Sequence, residues 1–211
     1  MGQFGLVEQM IQLAVRALVE RDAGLADRVI DSDEQVDRTD IQIEEECLKL
    51  LALHQPVAFD MRWLITVIKV NSDLERMADL ACNIAERSKA MDLFPLFSVP
   101  DELTEMVTSV TKMVRVAIDS FVEGNDKKAR EVIGSDDLID TQNRVVIEKL
   151  HEMMKDDSEL IEPGVHCFSA SRHLERIGDL AENIAEEVVY LVEGDIVRHQ
   201  HGIFVEDPQL D

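Results

Sequence analysis

The chain has 211 residues, 45% of them apolar and 4% aromatic, with 44 acidic against 21 basic side chains and a net charge of −23. A chain this acidic is repelled by nucleic-acid phosphates and by anionic lipid, so nucleic-acid binding is excluded and membrane association has to run through partner proteins. No apolar run is long enough to span a bilayer. The start, Met1-Gly2-Gln3-Phe4-Gly5-Leu6, lacks the basic region of a signal peptide and has Leu6 where myristoylation needs Ser or Thr. A soluble, cytoplasmic protein is expected.

Leu, Val, Ile, Ala, Glu and Asp dominate and Gly and Pro are few, which is the composition of an all-α protein. Leu6, Met10, Leu13, Ala14, Ala17 and Leu18 recur at helical spacing over residues 2 to about 22, and Asp22-Ala23-Gly24 ends that helix. A second helix runs from about Leu25 to Leu53, with Val29, Val36, Ile43, Cys47, Leu50 and Leu51 as its apolar face. Asp33, Asp37, Asp40 and Glu44, spaced 4, 3 and 4, form an acidic ridge on its other side. His54-Gln55-Pro56 makes a turn, with Pro56 suited to a first helical position. The third helix extends to about Ala90, and its early part, Trp63 to Val70, is so apolar that deep burial is expected. Asp92 to Pro100 holds two prolines and cannot continue a helix.

The pattern then repeats. A fourth helix covers about Asp101 to Val122 and stops at Glu123-Gly124-Asn125. A fifth runs from about Asp126 to Lys155, where Asp136, Asp137 and Asp140 answer Asp33, Glu34 and Asp37 at an offset of 103. Glu162-Pro163 opens a sixth that ends near Gly194, and residues 195–211 read as a frayed C-terminal tail. The strongest repeat is in the third and sixth helices. Leu74-Glu75-Arg76-x-x-Asp79-Leu80-Ala81-x-Asn83-Ile84-Ala85-Glu86 returns 100 residues later as Leu174-Glu175-Arg176-x-x-Asp179-Leu180-Ala181-x-Asn183-Ile184-Ala185-Glu186. At 100° per residue Leu74, Met77, Ala81, Ile84 and Ala85 form a buried stripe. Glu75, Asp79, Cys82 and Glu86 form a ridge on the other side, matched by Glu175, Asp179, Glu182 and Glu186.

The expected fold is therefore all-α, two tandem three-helix bundles related by an internal repeat. Residues 1–93 make the first bundle and 99–194 the second. In each, the second and third helices carry ridges that converge if those helices are neighbours. Asp33, Asp37, Glu75 and Asp79 would meet in one unit, and Asp136, Asp140, Glu175 and Asp179 in the other. Like charges at i,i+4 cost a helix about 0.2–0.5 kcal/mol per pair, so such ridges call for solvation or a cation. Four carboxylates suit Mn, Fe or Mg; a solvated acidic face is the plain alternative. Glu148-x-x-His151 is the only Glu-x-x-His and lacks the mate that a di-iron enzyme needs.

Cys47 and Cys167 read as small buried residues, while Cys82 lies on the acidic ridge. His173 reads as a surface histidine, and Arg76 and Arg176 as partners of the ridge acids. Ser169 and Ser171 lack a nucleophile context, and no P-loop or other nucleotide motif is present, so no enzyme activity and no nucleotide are expected.

With both copies of the Leu-Glu-Arg frame, Arg28-Val29-Ile30-Asp31-Ser32-Asp33, Leu53-His54-Gln55-Pro56 and Val197-Arg198-His199, the chain resembles the PhoU family over about residues 5 to 199. The resemblance implies two tandem three-helix bundles in a cytoplasmic, often dimeric regulator that keeps phosphate-starvation genes off when phosphate is plentiful. It implies as partners the ATPase subunit of the phosphate ABC transporter and a sensor histidine kinase. It also implies Fe, Zn or Mn at Asp33/Asp37 with Glu75/Asp79 and at Asp136/Asp140 with Glu175/Asp179. Two departures stand out. Family members carry a further segment ahead of the point matching Met1, and Cys82 stands where the second copy has Glu182, so the two sites need not bind the same metal. Two other functions fit the residues: a carboxylate-bridged protein that stores iron or manganese or does redox chemistry, and a purely structural helical adaptor.

Overall fold

The computed structural model describes residues 2–95 and 97–194, so the tail expected to fray lies outside the described residues. Those residues form seven α-helices and two 3₁₀ turns, with no strand among them. The helices are α1 Gln3–Glu20, α2 Ala23–His54, α3 Phe59–Ala90, α4 Asp101–Glu123, α5 Asp126–Ile133, α6 Asp136–Asp156 and α7 Ile161–Glu193; the 3₁₀ turns are Met91–Leu93 and Ser158–Leu160. No described helix is long and apolar enough to cross a membrane.

The helix ends follow local chemistry. Asp22 caps α2 by accepting from the Gly24 and Leu25 amides at 2.9 and 3.2 Å, and Asn125 caps α5 by accepting from the Lys128 amide at 3.2 Å; both satisfy orphan donors of a first turn. Gly124, at φ +61°, closes α4 in the left-handed conformation that glycine adopts without penalty. Pro56 stands ahead of α3 rather than inside it, because the chain turns through Ala58 (φ +47°) before Phe59.

The helix expected over 126–155 is two helices. Gly134 and Ser135 break it, the Ser135 amide and hydroxyl both donating to the Val132 carbonyl at 2.9 and 2.7 Å. Glycine weakens a helix interior by about 1 kcal/mol, and Asp136 and Asp137 gain from starting a new N-terminus. The matching Asp31-Ser32 of α2 lacks the glycine and stays helical.

α3 is the hub of the first unit, packing against α1 and α2, and α7 is the hub of the second, packing against α4, α5 and α6. α3 and α7 also pack along each other, so one hydrophobic core runs through both units. They lie antiparallel, because Lys69 meets Glu187 at one end and Phe94 meets His166 at the other. The stripe Leu74, Met77, Ala81, Ile84 and Ala85 is buried as its spacing requires, and so are Cys47 and Cys167.

The segment Trp63 to Val70 is not deeply buried. Only Thr66 and Val70 are, while Trp63 is 44% exposed and Phe59, Met61 and Ile65 join it at the surface; Leu50 of α2 is exposed as well. The described helices differ in length. α1 has 18 residues against 32 in α2 and in α3, about 27 Å beside about 48 Å at 1.5 Å per residue. It covers only the half of the α2–α3 pair nearest the α1–α2 turn.

Candidate functional site

α2 and α3 are antiparallel neighbours, fixed by Lys89 on Asp27 at 2.8 Å near one end and by the Asn71 amide on Asp40 Oδ1 at 2.7 Å in the middle. This geometry brings the two ridges of the first unit together. Asp33 faces Asp37 of its own helix and Asp79 across the gap; Glu75 faces Asp79, Asp40 and Asp37. Burial, then this mutual repulsion, holds the carboxyls of Glu75 and Asp79 above their ordinary range. Asp33 is raised the same way, with the Cys82 thiol offsetting part of the effect. That thiol donates to the Val29 carbonyl at 3.8 Å, and burial followed by Asp33 pushes its pKa well up.

The second unit repeats the arrangement between α6 and α7. Burial, Glu175 and Asp140 raise Asp179, and Arg172 and Arg176 partly offset them. Glu182, the repeat partner of Cys82, is pushed up to about 7 by burial and then by Asp136, Glu186, Asp179 and Asp137. The convergence therefore also takes in Asp40, Cys82 and Glu182.

Arg76 and Arg176 do not hold the ridge acids as expected. Arg76 pairs with Asp73 of its own helix at 3.7 Å, and Arg172, one turn before Arg176, pairs with Glu175. At i,i+3 spacing Arg76 meets Asp73, off the ridge, while the ridge acid Glu175 is taken by Arg172 rather than Arg176; Arg76 and Arg176 act on Glu75 and Asp179 electrostatically. His173 is half-buried, not a surface side chain. Its Nε2 lies 3.3 Å from Ser169 Oγ, and burial, Arg87 and Arg176 hold its pKa below the ordinary value.

Among the described residues, no three His, Cys, Asp or Glu side chains are gathered closely enough to hold an ion as they stand. One observation fits a cation nonetheless. Asp33 Oδ1 is shut from water and meets no donor at hydrogen-bond geometry, the weakly donating Cys82 thiol being the group beside the carboxyl, and a buried acceptor so poorly paired is costly. The donor sets fit too: oxygen with a nearby thiol in the first unit, oxygen throughout in the second.

A polar brace escapes a reading by periodicity. The 103 and 100 offsets align Asp40 with Asn143 and Asn71 with Ser171. The structure pairs Asn71 with Asp40 in one unit and Ser171 with Asn143 in the other. The signal lay in polar residues at the same two positions of both repeats. Lys69 and Glu187 form a second such contact between the units, at 2.9 and 3.0 Å, with Glu187 nearly enclosed.

The PhoU domain family matches residues 3–88 and 103–188 of the chain, one match to each unit. The chain is 38% identical to a phosphate-specific transport system accessory protein PhoU homolog from Pseudomonas aeruginosa, over 92% of this chain and 81% of that one. It is 37% identical to a homolog of the same name from Aquifex aeolicus, over 93% and 89%. In structure it is similar to the crystal structure of PhoU from Pseudomonas aeruginosa, with a TM-score of 0.88 and 36% identity over 92% and 93% of the two chains. It is also similar to the phosphate transport system regulatory protein PhoU from Streptococcus pneumoniae, with a TM-score of 0.86 and 30% identity over 93% and 92%.

Proposed function

Since this chain belongs to the PhoU family, we propose that it regulates phosphate uptake and phosphate-starvation signalling as a non-enzymatic, cytoplasmic protein. In this reading it contacts the ATPase subunit of a phosphate ABC transporter and a sensor histidine kinase. The observation that carries it is the match of both repeats to relatives named as accessory proteins of phosphate-specific transport. The exposed apolar run Leu53, Val57, Phe59, Met61 and Trp63 at the α2–α3 turn supports action by contact, because such a patch favours a protein partner or a second copy of the chain.

The metal belongs to the same reading. Asp33, Asp37, Glu75 and Asp79 would hold iron, zinc or manganese in one unit, and Asp136, Asp140, Glu175 and Asp179 in the other. A bound ion supplies positive charge where carboxylates now repel one another. Cys82 would give the first centre a softer donor than Glu182 gives the second.

The test is complementation. In a bacterium lacking its own PhoU, expression of this chain is expected to restore repression of a phosphate-starvation reporter in phosphate-rich medium. Full derepression despite normal protein level would overturn the regulatory reading.

A further inference from the structure

The antiparallel α3–α7 contact joins two copies of one sequence frame, so each residue lining one side of it has a repeat-related counterpart on the other side. The first side holds a groove of about 400 Å³ lined by Ile68, Lys69, Ser72, Asp73, Arg76, Asn183 and Glu187. Its charges cancel within it: Lys69 sits on Glu187 at 2.9 Å, and Arg76 pairs with Asp73 at 3.7 Å.

The repeat places different chemistry on the other side. Lys69 becomes Ser169, Asp73 becomes His173 and Glu187 becomes Arg87, while Arg76 returns as Arg176. Both acids are lost, and two arginines are gained: Arg87, and Arg172 in place of Ser72. Glu175 holds Arg172, but neither Arg87 nor Arg176 makes an ion pair or side-chain hydrogen bond among the described residues. Asp179 acts on Arg176 electrostatically without pairing with it. Arg87 and Arg176 both act electrostatically on the His173 ring. Its Nε2 meets Ser169 Oγ at 3.3 Å, and its Nδ1 is buried without a partner. In a chain of net charge −23, this is a local concentration of unpaired positive charge and hydrogen-bond donors.

We propose that the groove formed by Arg87 of α3 with Ser169, His173 and Arg176 of α7 binds a small tetrahedral oxyanion of the phosphate type. Two guanidinium forks suit such an anion, because each can donate two parallel bonds to its oxygens. The Ser169–His173 pair adds one donor beside them: when the His173 Nε2–H donates to Ser169 Oγ, the serine hydroxyl is free to donate to the anion. The site lies between the two units, so an anion held there bridges α3 and α7. It is independent of whether the carboxylate ridges hold metal.

The full chain, stripped of metal and kept in chelator at constant ionic strength, is titrated with inorganic phosphate and separately with phenyl phosphate. Phosphorus NMR line width and the His173 ring resonances are the readouts. Saturable broadening with a shift of the His173 ring is expected. Binding of inorganic phosphate identifies the free anion as the ligand; binding of phenyl phosphate alone identifies a phosphoryl group carried on another molecule. Arg87→Glu and His173→Asp, which copy the charges of the first groove, should each weaken binding by about tenfold or more, since one charge-assisted contact is worth about a factor of ten. Arg115→Gln, on exposed α4 surface, should not change it. Arg87→Gln replaces Arg87→Glu should the latter lose helical circular dichroism. No saturable effect with either ligand, or equal binding by Arg87→Glu, His173→Asp and wild type, overturns the site.

Discussion

Lys69→Met tests whether the α3–α7 contact depends on its one nearly enclosed ion pair. Lys69 Nζ lies 2.9 and 3.0 Å from the two oxygens of Glu187, whose side chain is 5% exposed against 34% for Lys69. Two unit charges about 4 Å apart attract by about 4 kcal/mol at an effective dielectric of 20. Much of that offsets the cost of taking Glu187 out of water, and this cost stays when the lysine goes. Breaking a buried pair costs about 3–5 kcal/mol; with a third of Lys69 in solvent, screening lowers the expected loss to about 2 kcal/mol. For a chain of this length that is about 4–8 °C in Tm. Urea unfolding of the metal-free protein should show the loss as a lower midpoint with an unchanged slope. Lys69→Met/Glu187→Leu should recover to within about 1 kcal/mol of wild type, because an apolar pair of similar size takes the place of the buried charges. A single variant within about 0.5 kcal/mol of wild type, or a double variant no better than the single, refutes the reasoning.

The other expectations concern the carboxylate clusters and their brace. Glu182 carries more protons folded than unfolded between its ordinary value of 4.5 and about 7, so its contribution to stability falls as pH rises through that window and is constant above it. In chelator, Glu182→Gln should therefore leave stability unchanged near pH 4 and raise it by about 1 kcal/mol at pH 8, after discounting for solvent screening; equal effects at both pH values contradict this. Elemental analysis of untagged protein should find stoichiometric Fe, Zn or Mn in wild type and less in Glu175→Ala/Asp179→Ala. Cobalt substitution should give thiolate charge-transfer absorption that Cys82→Ser abolishes, and a spectrum without that band removes Cys82 from the first centre. Ser171→Ala leaves the buried Asn143 amide oxygen without its donor and should cost about 1–3 kcal/mol in urea unfolding; a loss below about 0.5 kcal/mol means that Asn143 finds another partner.

The sequence by itself determined the helical class, the three-helix repeat and the stripe that each hub helix buries. Apolar spacing of 3.6 residues fixes which side of a helix must leave water, and it did so correctly for Leu74, Met77, Ala81, Ile84 and Ala85. The ridges were legible for the same reason: Asp33, Asp37, Glu75 and Asp79 occupy the opposite faces of helices joined by a short turn. Tertiary structure alone decided what each face meets. Periodicity carries no information about what an apolar face will meet, so the apolar run from Trp63 was expected to be buried, yet Phe59, Met61, Trp63 and Ile65 lie at the surface. One glycine split the fifth helix, because its cost of about 1 kcal/mol is settled by what the flanking turns gain elsewhere. Lys69 with Glu187, Asn71 with Asp40 and Ser171 with Asn143 lie 118, 31 and 28 residues apart. Such pairs form only once each hub helix has packed against its neighbours, since a side chain's partner is set by the packing of elements and not by its place along one of them.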